Sequence, residues 1–85
     1  MWRWELWIMK ADKYITKKIE SFIEANPDAK MKYMYDTIFN MHVIEVASAT
    51  LYESAEFKAW HDDLISEFAR KYPTEEVGVI LTDSF

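Results

Sequence analysis

Two histidines, His42 and His61, and the carboxylates near them are the residues of this 85-residue chain best suited to move protons or hold a metal. His61 falls within an apolar stripe at helical spacing, Phe57, Trp60, Leu64, Ile65, Phe68 and Tyr72, so its ring is expected to face the core. There it would serve either as a general base or pH-sensitive switch, or as a neutral core histidine hydrogen-bonded to a tyrosine or a backbone carbonyl. The second role is the expectation. A metal site would need His61, His42 and a carboxylate such as Asp62 or Glu45 to converge, yet no pair shows the i, i+3 or i, i+4 spacing of ligands on a helix. In His61-Asp62-Asp63, helical neighbours diverge by about 100°, which turns both aspartates toward water.

Other chemistries lack their parts. The single glycine, Gly78, excludes the Gly-rich phosphate cradles. The absence of cysteine excludes thiolate catalysis and disulfides, and fits a reducing, cytoplasmic setting. Ser21, Ser48, Ser54, Ser66 and Ser84 have no elbow motif around them. No enzyme, cofactor or metal site is expected. Net charge is −5, with seven basic and five acidic residues in 1–34 against three basic and ten acidic in 35–85. Such a body repels phosphate backbones, so nucleic acid is not an expected partner. No stretch approaches the ~20 apolar residues of a membrane span.

The elements that must carry these side chains follow from periodicity. Ile15, Ile19, Phe22 and Ile23 mark a helix that begins after Asp12, as N-cap, and stops at Asn26-Pro27. From Lys30 the period becomes two: Met31, Tyr33 and Tyr35 share one face of a strand. A second strand sets His42, Ile44 and Val46 on one face and Val43, Glu45 and Ala47 on the other. Pairing Tyr33 with Ile44 places Lys32 opposite Glu45, and "DTIFNM" at 36–41 requires more than a two-residue turn. Thr50 and Glu53 have capping-box spacing, with Ser54 as a second N-cap candidate. The helix that follows runs to Pro73, with Glu67 placed to pair with Lys71, and Val77–Thr82 read as the last strand.

The order α-β-β-α-β predicts a single α+β domain over 1–85. It is a two-layer sandwich with a three-stranded mixed sheet and both helices on one face. Residues 1–9, "MWRWELWIM", hold three of the four tryptophans. Alternation of Trp2, Trp4, Leu6 and Ile8 favours an added N-terminal strand over a helix grouping Trp4, Trp7 and Ile8. The sheet side without helices would show Met34, Val43 and Ile80, an apolar patch that wants a cover. Either residues 1–9 cover it within the chain, or Trp2, Trp4 and Trp7 join it in binding another protein or another copy.

The sequence therefore points to a small intracellular protein-interaction domain that self-associates through this face and the tryptophan-rich segment. The alternatives are an acidic inhibitor that mimics nucleic acid on a basic protein surface, and an enzyme built on His61.

Overall fold

The computed structural model describes residues 2–82, with side chains described from Lys10 onward. The elements in chain order are α1 (Trp2–Ala25), β1 (Met31–Asp36), β2 (Met41–Val46), α2 (Ala49–Tyr52), α3 (Ala55–Lys71) and β3 (Glu76–Leu81). The sheet has the order β1-β2-β3, with β1 antiparallel and β3 parallel to the central β2. The expected α+β architecture is present, with α2 as a single additional turn.

The hairpin register is the expected one: Tyr33 lies opposite Ile44 and Lys32 opposite Glu45. It follows from matching the two apolar faces, since a slip of one residue would turn every inward side chain outward. The connection at 37–40 is held by its polar ends. Asp36 Oδ1 accepts the amides of Ile38 (2.8 Å) and Phe39 (3.2 Å), and Asn40 takes the left-handed conformation at φ 53°. Asparagine tolerates that conformation better than most residues, so the turn is specified without a glycine.

The core lies between the sheet and the helices. Ala11, Ile15, Ile19 and Phe22 of α1 and Phe57, Leu64 and Phe68 of α3 form one buried cluster with Met31, Ile44 and Val46. Val77 and Val79 of β3 pack on the same cluster. Both long helices therefore cover one face, and aromatic pairs bridge them. Phe22 meets Phe57 edge-on at 6.1 Å and Trp60 at 5.3 Å, while Tyr14 lies 6.2 Å from Phe68 and 5.9 Å from Tyr72.

Three local expectations are corrected. Residues 2–9 open α1 and form no strand. The 2–25 stretch contains neither glycine nor proline, and Trp4, Trp7, Ile8, Ala11 and Ile15 continue a single helical period. Once the later turns exist, each added residue gains a backbone hydrogen bond without a new nucleation cost. Asp12 consequently lies inside the helix, where its Oδ1 accepts the Thr16 hydroxyl at 3.1 Å. Thr50 and Glu53 form no capping box: Ser48 caps α2 by accepting the Leu51 amide, and Ser54 caps α3 by accepting the Phe57 amide.

Replacing Ser54 by alanine should therefore cost about 1 kcal/mol in urea denaturation. Thr50→Ala, on an exposed position of the four-residue α2, should change stability by less than about 0.5 kcal/mol.

Candidate functional site: the uncovered sheet face and a buried polar chain

Strand alternation sends Lys32, Met34 and Asp36, then Met41, Val43 and Glu45, then Glu76, Gly78 and Ile80 to the side opposite the core cluster. Among the described residues no helix lies on that side. Three expected interaction residues meet there. Met34 pairs with Val43, Val43 pairs with Gly78, and Ile80 sits in the next cross-strand row beside Glu45. Met34 is 39 % and Ile80 46 % exposed, whereas Val43, flanked by strands on both sides, is 7 % exposed. Gly78 leaves a gap that the Met41 side chain fills, its terminal methyl lying 2.8 Å from where a Cβ would stand. The side chains of Trp2, Trp4 and Trp7 lie outside the described residues.

Apolar exposure also occurs where the sequence reading had not placed it. Ile38 and Phe39, at the tip of the hairpin, are 82 % and 70 % exposed, and Leu81 at the end of β3 is 47 % exposed. The tip residues stand on a turn fixed by Asp36 and Asn40, so their exposure comes with a defined backbone.

His61 does not occupy the polar position in the core. It is half-buried on α3, with its ring stacked on Phe57 at 5.9 Å and 20° between planes. The histidine sealed from solvent is His42 on the central strand. Its Nδ1 lies 2.6 Å from the Tyr33 hydroxyl, and its Nε2 lies 2.6 Å from Glu75 Oε1. Tyr35 and Phe68 close over the ring edge-on at 5.0 and 5.6 Å. The signal for this site was present in the alternation, which sets His42 in the same inward row as Ile44 and Val46. An inward imidazole on a central strand must find partners, and the inward tyrosines of β1 supply one.

With Glu75 accepting, Nε2 carries the hydrogen and Nδ1 accepts from the Tyr33 hydroxyl. The order hydroxyl, imidazole, carboxylate is that of a nucleophile with its base and orienting group. The chemistry differs, because burial pushes the Tyr33 hydroxyl above the ordinary phenol range, with the charges of Asp12, Tyr35 and Glu75 adding to it. Tyr33 is thereby held as a proton-bearing donor, the opposite of an activated nucleophile. The three groups link β1, β2 and the residue preceding β3.

Compared with protein-family models, curated proteins and solved structures, the chain has no match.

A second polar cluster joins the helices. The Tyr14 hydroxyl donates to Glu67 Oε1, and Lys18 Nζ lies 3.1 Å from the same oxygen. Lys18 and Lys71 also approach the Tyr14 ring, at 5.6 and 5.4 Å. Glu67 thus takes its ion-pair partner from α1, where an i, i+4 pair with Lys71 was expected. Burial, followed by the bond to Glu67, pushes the Tyr14 hydroxyl up, while the bonds from Tyr14 and Lys18 hold the Glu67 carboxyl below its usual range. A concavity lined by Asn26, Asp28, Ser48 and Ser54 lies between the α1–β1 turn and the starts of α2 and α3. Both serine hydroxyls there are engaged in capping.

Among the described residues no three His, Asp or Glu side chains are grouped to hold a metal ion, and no helix is long and apolar enough to cross a membrane.

His42→Ala should destabilise the fold by about 3–5 kcal/mol, because it opens a cavity and strands Tyr33 and Glu75 at once. His61→Ala should cost about 1 kcal/mol or less, and a urea titration of both variants checks the contrast.

The raised tyrosines give a signed pH dependence. Their contribution is fully present below the unfolded phenol value of about 10 and is lost as pH rises toward the folded values. Alkaline unfolding, followed by circular dichroism, should therefore start near that pH, and Tyr14→Phe/Tyr33→Phe should flatten the profile between about pH 10 and 12.

Proposed function

We propose that the protein is a small interaction domain that assembles with copies of itself through its incompletely covered sheet. The observation that carries this is one-sided coverage: α1 and α3 both pack on the inner face, while Met34 and Ile80 remain 39 % and 46 % exposed on the outer one. Contiguous exposed apolar surface is a frequent mark of association, and here Met34 and Ile80 flank Val43 from neighbouring cross-strand rows. Exposed apolar side chains also occur away from that face, at Ile38 and Phe39 on the hairpin tip and at Leu81 on the helix side of β3.

The polar chemistry supports the same view by subtraction. His42, the histidine with partners on both nitrogens, is shut from solvent, and its hydroxyl partner Tyr33 keeps its proton. That arrangement serves strand registration and offers no reacting group to a substrate.

Light scattering coupled to size exclusion over a concentration series tests the proposal on the full chain. The expected outcome is a mass that rises from one chain toward two as concentration rises into the micromolar range, with little dependence on salt. A single-chain mass up to millimolar protein would overturn it.

A further inference from the structure

We infer that self-association takes place edge to edge, by antiparallel pairing of β3 with β3 of a second copy into one continuous six-stranded sheet. This rests on the reading that the chain self-associates, and it specifies which surface does so. The two edges of the three-stranded sheet differ in how they are protected. β1 carries Lys32 in its interior and Asp36 at its end, charges of the kind that discourage pairing with another strand. β3 has Glu76 at its start and no charge from Val77 to Thr82. Among the described residues nothing pairs with its outer edge.

The direction of the β3 backbone groups is known from one bond. The Thr82 amide donates to the Val46 carbonyl at 2.8 Å, so Thr82 faces β2. By alternation Ile80 and Gly78 also face β2, whereas the amides and carbonyls of Val77, Val79 and Leu81 point away from the sheet. Antiparallel strands align side chains of opposed residues on the same face, so a two-fold axis normal to the sheet must pass through a residue position and not between two. An axis at Val79 pairs β3 along its whole length. Val79 then faces the partner's Val79, and Val77 faces the partner's Leu81, all through outward-pointing backbone groups.

The side chains agree with this register on both faces. On the uncovered face the partner's Ile80, 46 % exposed in the single chain, comes beside Gly78, against the Met41 methyl that occupies the space a Cβ would take. On the helix side the partner's Leu81, 47 % exposed, comes beside Val77 at a groove lined by Ile65, Phe68 and Ala69. Within Glu76–Thr82 the register sets Glu76 opposite the partner's Thr82, so no like charges face each other along that stretch. Stacking the uncovered faces against each other is less suitable. It would press Asp36, Glu45 and Glu76 of both copies together against one Lys32 from each.

The test uses the full chain in analytical ultracentrifugation, with circular dichroism to verify folding. Val79→Pro removes an outward donor at the centre of the pairing and leaves the bonds to β2 intact; Leu81→Lys adds charge at the edge; Met34→Lys adds charge to the face alone. The inference expects a dimer in the parent protein, weakened roughly tenfold or more by Val79→Pro and by Leu81→Lys, and within about threefold of the parent in Met34→Lys. If Val79→Pro unfolds, Leu81→Lys decides. Hydrogen exchange of the Val77, Val79 and Leu81 amides should slow as dimer accumulates. A dimer that survives the edge variants and is lost in Met34→Lys would overturn edge pairing while leaving self-association in place. A parent protein that stays monomeric overturns both.

Discussion

The architecture depends on burying one face of the central strand. His42, Ile44 and Val46 stand in a single inward row at no measurable exposure, and the core around them is built from α1, α3, Leu51 and Tyr52 of α2, and the inward side chains of β1 and β3. Two helices suffice to roof a sheet only three strands wide, and among the described residues there is no third long helix for the other side. A domain of this size buries a smaller share of its surface than a larger one does. The consequence is an asymmetric sheet, enclosed on one side and bearing methionine, valine and isoleucine on the other.

Placing a histidine in the buried row adds a second constraint. Its two nitrogens cannot be left without partners in a low-dielectric interior, where each orphaned polar group costs about 1–3 kcal/mol. Tyr33 and Glu75 meet that need from opposite sides, and in doing so they couple the hairpin to the start of β3. A parallel neighbour reached by a long crossover has no turn to set its register. The bond from Glu75 to a residue of β2 supplies a fixed point for β3 that hydrophobic matching alone does not. The same chain restrains Tyr33, whose hydroxyl is set in the donor direction by the imidazole and kept protonated by burial.

Much of this was legible in the sequence, and the reasons differ by element. Alternation in Met31–Asp36 and Met41–Val46 restricted the hairpin register, because a one-residue slip turns the inward rows outward, and full overlap of the two six-residue strands selects among the registers that remain. His42 was legible as an inward residue yet overlooked as a site, since Glu75 lies 33 positions away and no spacing rule connects them. His61 drew attention because it falls within a helical stripe, but a stripe has margins. Its ring lies at that margin, stacked on Phe57 and partly in water. The tryptophan-rich start satisfies a period of two and a period of 3.6 together. Cooperative extension of an existing helix decided for the second, a non-local effect that propensity of single residues does not report. Glu67 likewise has Lys71 within helical reach, but Tyr14 and Lys18 of α1 provide a hydroxyl and an ammonium in one place.

Charge distribution ties the fold to its surface. No lysine or arginine occurs between Lys32 and Lys58 or after Lys71, so the hairpin tip, β2 and β3 contain neither. The lysines concentrate on α1, where Lys10, Lys13 and Lys17 are exposed and Lys18 reaches across to Glu67. On the sheet side, the acidic residues Asp36, Glu45 and Glu76 border the apolar rows. Such a border leaves open a contact that avoids the charged rows and obstructs one that overlays them, because like charges brought together and partly desolvated repel more strongly than in water. Along β3 the charge-free run from Val77 to Thr82 coincides with the outward-pointing amides of Val77, Val79 and Leu81. The β3 edge, the one less opposed by electrostatics, thus also has backbone hydrogen-bonding capacity to offer.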